Sequence, residues 1–290
     1  MVAWLQTDAT SNNGLGMTAH TDVSMTYSQI IGAFSFSIMF LLVKLMEGTA
    51  DSFTLVFYRS LVQILISLAS IIRNGEHPLG GGNWVTKLWL LVRGGFGAGA
   101  VIAWFFGIQN LPLPDAVTLQ FTTPVFSAAF AVCFAGEKWM KLDMIGAIVC
   151  LMGVALIAHP TWLFGNQGAA VDETDDSGDA LMKALAVAVT TGGAALAGMA
   201  YVSVRLIGDK ASANVMVLYY GALSIPIVLV GSKMLLGKWS VWGEGYFSVK
   251  DYLLLLLTGF AGYGGQLFTN IGLQKETAAT VSFFFLFVLC

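Results

Sequence analysis

Long apolar runs alternate with short polar connections along most of the chain, and runs near 20 residues can cross a hydrocarbon core of about 30 Å as helices. The pattern predicts spans at about 28–46, 52–72, 87–108, 115–135, 143–159, 181–203, 213–235 and 251–273, with an incomplete ninth at 277–290. Connections as brief as Glu47 to Asp51 and Asn110 to Pro114 make successive helices antiparallel neighbours. Residues 1–27 are polar, contain no Lys or Arg and hold no apolar stretch preceded by positive charge. They predict a disordered tail, not a secretory signal peptide.

The order of these elements repeats. A shift of 161 lays Gly32 to Tyr58 on Gly193 to Tyr219 without a gap, pairing Gly32 with Gly193, Lys44 with Arg205 and Tyr58 with Tyr219. A shift of 165 lays Gly94 on Gly259, Gly107 on Gly272 and Gln109 on Gln274. Duplicated hydrophobic segments are a signature of secondary transporters. Five helices per copy is an odd number, so the second copy must enter the membrane from the opposite side. The expected architecture is two inverted five-helix repeats, residues 28–160 and 181–290, joined by an acidic linker at 161–180. In that linker Asp172, Glu173, Asp175, Asp176 and Asp179 invite a calcium-loop reading, but position six is Ser177 and position twelve Lys183, so a solvated linker fits better. The count of Lys and Arg near helix ends favours a cytoplasmic N-terminus weakly. By analogy with the first copy, which runs on from Pro124 to Pro160, about 35 residues of the second are expected beyond Cys290, leaving about nine helices of ten and a fragment of a longer transporter.

Composition agrees with this architecture. The chain is 57% hydrophobic and 11% charged, against roughly 25% charged in an average soluble protein, which predicts an all-α polytopic membrane protein and excludes large soluble domains. A net charge of -3 without any basic stripe gives no nucleic-acid partner. Cys133, Cys150 and Cys290 sit in apolar runs, so neither a disulfide framework nor a zinc site is expected. His20, His77 and His159 have no carboxylate at metal or catalytic spacing, and no glycine cluster is followed by the Lys and Ser or Thr of a phosphate loop. No enzyme, metal or cofactor is predicted.

Two basic residues fall inside spans, Arg59 in the second and Arg93 in the third. Each costs roughly 2.5 to 3.5 kcal/mol at a helix centre. No carboxylate lies deep in a span to neutralise them, so the pair predicts a water-filled cavity and an anionic partner, with Arg59 as the lead contact. The alternative is that one or both snorkel to headgroups. Gln63 follows Arg59 by four residues, Thr118 and Thr122 share a face of the fourth helix, and Gln266 and Asn270 share one of the eighth. Tyr220 stands in the second copy where the first has Arg59. These polar side chains either line the same cavity or bond between helices, at about 0.6 kcal/mol each. Gly94, Gly95, Gly97 and Gly99 on the third helix, and Gly259, Gly262, Gly264 and Gly265 on the eighth, permit close packing and could also mark sliding surfaces. Pro124 and Pro226 are candidate kinks.

Several strings taken together resemble the drug/metabolite transporter superfamily, specifically EamA-type repeat proteins, and within them the G-type members of solute carrier family 35. They are Tyr58-Arg-Ser-Leu-Val-Gln63, Leu91-Val-Arg-Gly-Gly95, Leu113 through Phe126, Gly136-Glu-Lys138, Gly153 through Pro160, Gly264-Gly-Gln-Leu-Phe268 and Gly272-Leu-Gln274. The resemblance implies ten helices, both termini cytoplasmic, and transport of small metabolites by exchange or ion coupling. It carries over Arg59, Gln63, Arg93, Thr122 to Pro124 and Glu137 as matching positions. The expected function is alternating-access transport of a small organic anion in a plasma or endomembrane bilayer, and a homodimer is compatible with it. The competing expectation is a membrane scaffold or regulatory protein that keeps the fold without transport.

Overall fold

The computed structural model describes residues 23–80, 83–136, 177–237 and 247–275, with positions 148, 152 and 239 besides. Most of the tail and linker, the span expected at 143–159 apart from two positions, and the span expected at 277–290 lie outside the described residues. Every element described is helical. Helix α1 is Val23–Leu45, α2 Ser52–Asn74 and α3 Trp84–Asn110. The fourth span consists of α4, Leu113–Gln120, and α5, Thr123–Phe130, closed by a π turn at Ala131–Ala135. After the linker come α6, Ser177–Ile207, α7, Ala213–Leu236, and α8, Val249–Lys275. Six helical stretches among the described residues are long and apolar enough to cross a membrane. Helix α8 has the length but not the composition, because Gln266, Thr269, Asn270 and Gln274 crowd its second half.

The fourth span differs from the continuous helix that its apolar run predicts. Pro124 has no N–H, and its ring excludes the carbonyl four residues back, so the ladder breaks at Phe121 and Thr122. The hydroxyls of Thr122 and Thr123 donate to Leu119 O and Gln120 O at 2.7 and 2.6 Å, answering carbonyls that the break releases. Pro226, by contrast, is carried within α7 without interruption.

The duplication is visible in local structure. Asp51 caps α2 by accepting from Thr54 N at 2.7 Å, and Ser212, its counterpart under the shift of 161, caps α7 by accepting from Val215 N at 3.4 Å. Gln109 Nε2 donates to Ala50 O at 2.9 Å, and Gln274 Nε2 to Ala211 O at 2.8 Å, again equivalent positions in both members. Removing either cap, by Asp51→Ala or Ser212→Ala, is expected to cost about 1 kcal/mol, with the larger loss at the shorter Asp51 bond, as read from denaturant unfolding in detergent.

Packing between the halves follows the same exchange. Helix α3 lies along α6, α1 along α8 and α2 along α7, and the shifts convert the first pair into the second and the third into itself. Glycine contacts repeat this residue by residue. A Cβ on Gly94 would lie 2.6 Å from Leu223 on α7, and one on Gly259 would lie 2.5 Å from Val62 on α2, the counterpart of Leu223. Gly99 faces Leu196 at 3.1 Å, and Gly264 faces Ser35, the counterpart of Leu196, at 3.2 Å. Gly107 abuts Thr190 as Gly272 abuts Gln29. Such close approaches need glycine, since packing between helices in lipid relies on small residues and dispersion contacts. Gly95 is the exception, with nothing within 4 Å of where its Cβ would stand.

Candidate functional site

Arg59 sits two turns into α2 and is fully buried. Its Nη1 donates to Tyr220 Oη at 2.7 Å, and its guanidinium carbon stands 5.2 Å from the centre of the Tyr220 ring. The two residues are 161 apart, so this contact joins one repeat position to its own counterpart. The shift of 165 likewise relates Gly97 to Gly262. A Cβ on Gly97 would lie 3.1 Å from the Tyr220 ring, and one on Gly262 would collide with Arg59 Nε. Position 59 therefore leans on α8 as position 220 leans on α3.

Arg93 on α3 is 3% exposed. Its Nη2 donates to Gln266 Oε1 and, at 3.1 Å, to Asn270 Oδ1, both on one face of α8. Its guanidinium carbon stands 5.9 Å from the same Tyr220 ring. A Cβ on Gly97 would approach Arg93 Nη1 to 2.5 Å, so this glycine makes room for the side chain one turn before it. Among the described residues neither arginine pairs with a carboxylate, whereas Lys44 pairs with Glu47 at 2.7 Å near the end of α1. Amide oxygens and an aromatic ring solvate the two charges without neutralising them.

Beside Arg93 lies a cavity of about 350 Å³ walled by α1, α3, the broken fourth span, α6 and α8. Its lining is mostly apolar and aromatic, with Phe36, Phe40, Trp104, Phe121 and Tyr201, and its polar side chains include Arg93, Gln266 and Gln120, with Lys44 toward one end. Trp104 Nε1 and Gln120 Oε1 are buried without a partner among the described residues. Equivalent positions from both halves line it, Phe36 with Ala197, Met39 with Ala200, Phe40 with Tyr201 and Val101 with Gln266. The cavity thus straddles the relation between the halves. The chemistry differs where Val101 is matched by Gln266 and Arg93 by Thr258.

Among the residues that the sequence singles out as site or gating candidates, Arg93, Gly97, Thr123, Pro124 and Gln266 line this cavity, and Arg59, Gln63, Thr118, Thr122, Tyr220 and Asn270 do not. Arg59 is not among the lining residues, and its Nη1 is held by Tyr220 from the other half. Gln63 is fully buried on α2 with both amide atoms unpartnered. Thr118 Oγ1 donates to Pro114 O at 2.8 Å and Thr122 to Leu119 O, so both hydroxyls are spent on their own helix. Gly94 and Gly259 are tight packing positions, Gly99 and Gly264 less tight ones, and Gly95 faces open space. The aromatic lining was not singled out by sequence, although Phe40 and Tyr201 are related by the shift of 161.

Residues 26–159 match the EamA-like transporter family. The chain is 30% identical over 253 residues to solute carrier family 35 member G1 of Mus musculus, covering 87% of this chain and 65% of that protein. It is 28% identical to the Homo sapiens protein of the same name, covering 87% and 66%. The pseudopaline exporter CntI of Pseudomonas aeruginosa is 29% identical over 137 residues, 45% of each chain. This chain thus spans less than two thirds of the length of these relatives. A protein of known crystal structure superposes with a TM-score of 0.63 over 91% of this chain and 86% of its own at 15% identity, a likeness of fold alone. With a family match through the first half and carrier likeness running across both, the chain is a multi-pass membrane protein similar to the EamA-like transporters of the drug/metabolite transporter superfamily and, among them, to solute carrier family 35 member G1.

Proposed function

We propose that this chain is the greater part of a secondary transporter for a small organic anion, which binds in the cavity with its charged group on Arg93. The observation that carries the reading is a buried guanidinium on the cavity wall with no carboxylate partner among the described residues. A cation held in a membrane interior without a counter-charge marks a ligand or ion path. Arg93 offers a charge-assisted contact for a carboxylate or phosphate oxygen, and the aromatic walls would cover the carbon skeleton. The exchange of contacts between the halves supports inverted repeats and alternating access around this point.

The test is counterflow in proteoliposomes containing the full-length protein, with labelled small carboxylates and phosphate esters as probes. Saturable exchange of at least one anion, not shared by neutral analogues of the same size, is the expected result. Its absence would favour a scaffold that keeps the fold without transport.

A further inference from the structure

On α2, Arg59, Gln63 and Ser67 follow at four-residue intervals, the spacing of one helix face, and all three are fully buried. Among the described residues Arg59 Nε and Nη2, both amide atoms of Gln63 and Ser67 Oγ have no hydrogen-bond partner. Bonding between helices does not account for such a row, because buried polar groups are ordinarily paired and each orphan costs about 1–3 kcal/mol.

Which atoms of Arg59 are free is informative. Nη1 is taken by Tyr220. Nε and Nη2 are left, and their N–H bonds run parallel along one edge, the geometry that meets both oxygens of a carboxylate or phosphate. Gly262 covers that edge, with its would-be Cβ 3.2 Å from Gln63 Nε2 as well as against Arg59 Nε. The row also has a direction. The cavity extends to Lys44 and Leu113, beside the short connection that leads into the start of α2. Ser67 lies on the way to the far end of α2, where Glu76 accepts from Ser212.

We infer that the Nε–Nη2 edge of Arg59, with Gln63 and Ser67 beyond it, is a second oxyanion site, covered by α8 in this conformation and entered from the face opposite the cavity mouth. Tyr220, whose ring both guanidinium groups touch, is the partition between the two sites. The inference rests on the anion-carrier reading above but assigns a different place and a different arginine. Opening it requires α8 to part from α2 where Gly259 meets Val62 and Gly262 meets Arg59.

The full-length protein, with its native cysteines replaced by Ser, is reconstituted as Ser67→Cys and treated with sulfonatoethyl methanethiosulfonate or its trimethylammonium counterpart. After correction for reactivity with a free thiol, the anionic reagent is expected to modify Cys at this position at least about tenfold faster, the scale of local counter-ion enrichment in a charged cleft. Arg59→Gln should remove the preference. Gln63→Cys provides a second reporter if Ser67→Cys does not elute as a monodisperse protein. No modification at either position, equal rates for the two reagents, or a preference indifferent to Arg59→Gln would overturn the inference. Failure of the anion-carrier reading would show instead as missing exchange in the unmodified protein, with the labelling pattern intact.

Discussion

Arg93→Ala is expected to abolish saturable anion exchange by the reconstituted full-length protein and to weaken equilibrium binding of the best carboxylate or phosphate probe by a hundredfold or more. Truncating one partner of a buried, hydrogen-bonded charge pair costs on the order of 2–5 kcal/mol, and each 1.4 kcal/mol is a factor of ten. The loss should be specific to binding. Removing Arg93 leaves Gln266 Oε1 and Asn270 Oδ1 without their donor, at about 1–3 kcal/mol each, but also removes an unneutralised buried cation. These effects oppose each other, so the melting temperature in detergent should move far less than affinity. Arg93→Lys keeps the charge and loses the planar fork, and is expected to retain part of the binding. Exchange by Arg93→Ala at the unsubstituted rate would take Arg93 out of the mechanism.

Neighbouring glycines on α3 should respond in opposite directions. At Gly94 an added methyl would stand 2.6 Å from Leu223 Cδ1 and 2.9 Å from Tyr219 O. The leucine tip can turn away, but the carbonyl belongs to the α7 backbone, so the helices must separate. Gly94→Ala is therefore expected to lose about 1–3 kcal/mol, the cost of overpacking. Its site also lies between Arg93 and the Tyr219–Tyr220 turn, so substrate binding should fall with stability. Gly95→Ala meets nothing within 4 Å and should be neutral or gain up to about 1 kcal/mol from helix propensity. Thermal unfolding of both variants in one detergent checks the pair, and a more damaging Gly95→Ala would contradict the packing described for α3.

Six of the expected spans were legible because they are a property of the apolar pattern, which lipid imposes on any helix that crosses it. Two unusual arginines were legible from their depth alone. Which of them reaches the cavity was not, since depth along a helix says nothing about rotation. For Thr118 and Thr122 the sequence left lining and hydrogen bonding open, because hydroxyls in a membrane helix can bond to nearby backbone carbonyls, as both do here, so polarity by itself does not point to a cavity. Pro124 marked a disturbance in the fourth span, but its ring acts on the preceding turn, which displaces the break toward Phe121. The glycines could be matched between copies from sequence; their separation into tight and open positions depended on which neighbour each one faced.

A residue lying on the relation between two halves meets its own counterpart, as Arg59 meets Tyr220. Two separate identical subunits could place only like against like there: a pair of guanidinium groups repelling each other in a dry interior, or a pair of phenols carrying no charge. A cation resting on a ring and bonded to its hydroxyl is open to halves whose sequences differ at this position. Here the difference between the halves makes a contact that exact symmetry forbids.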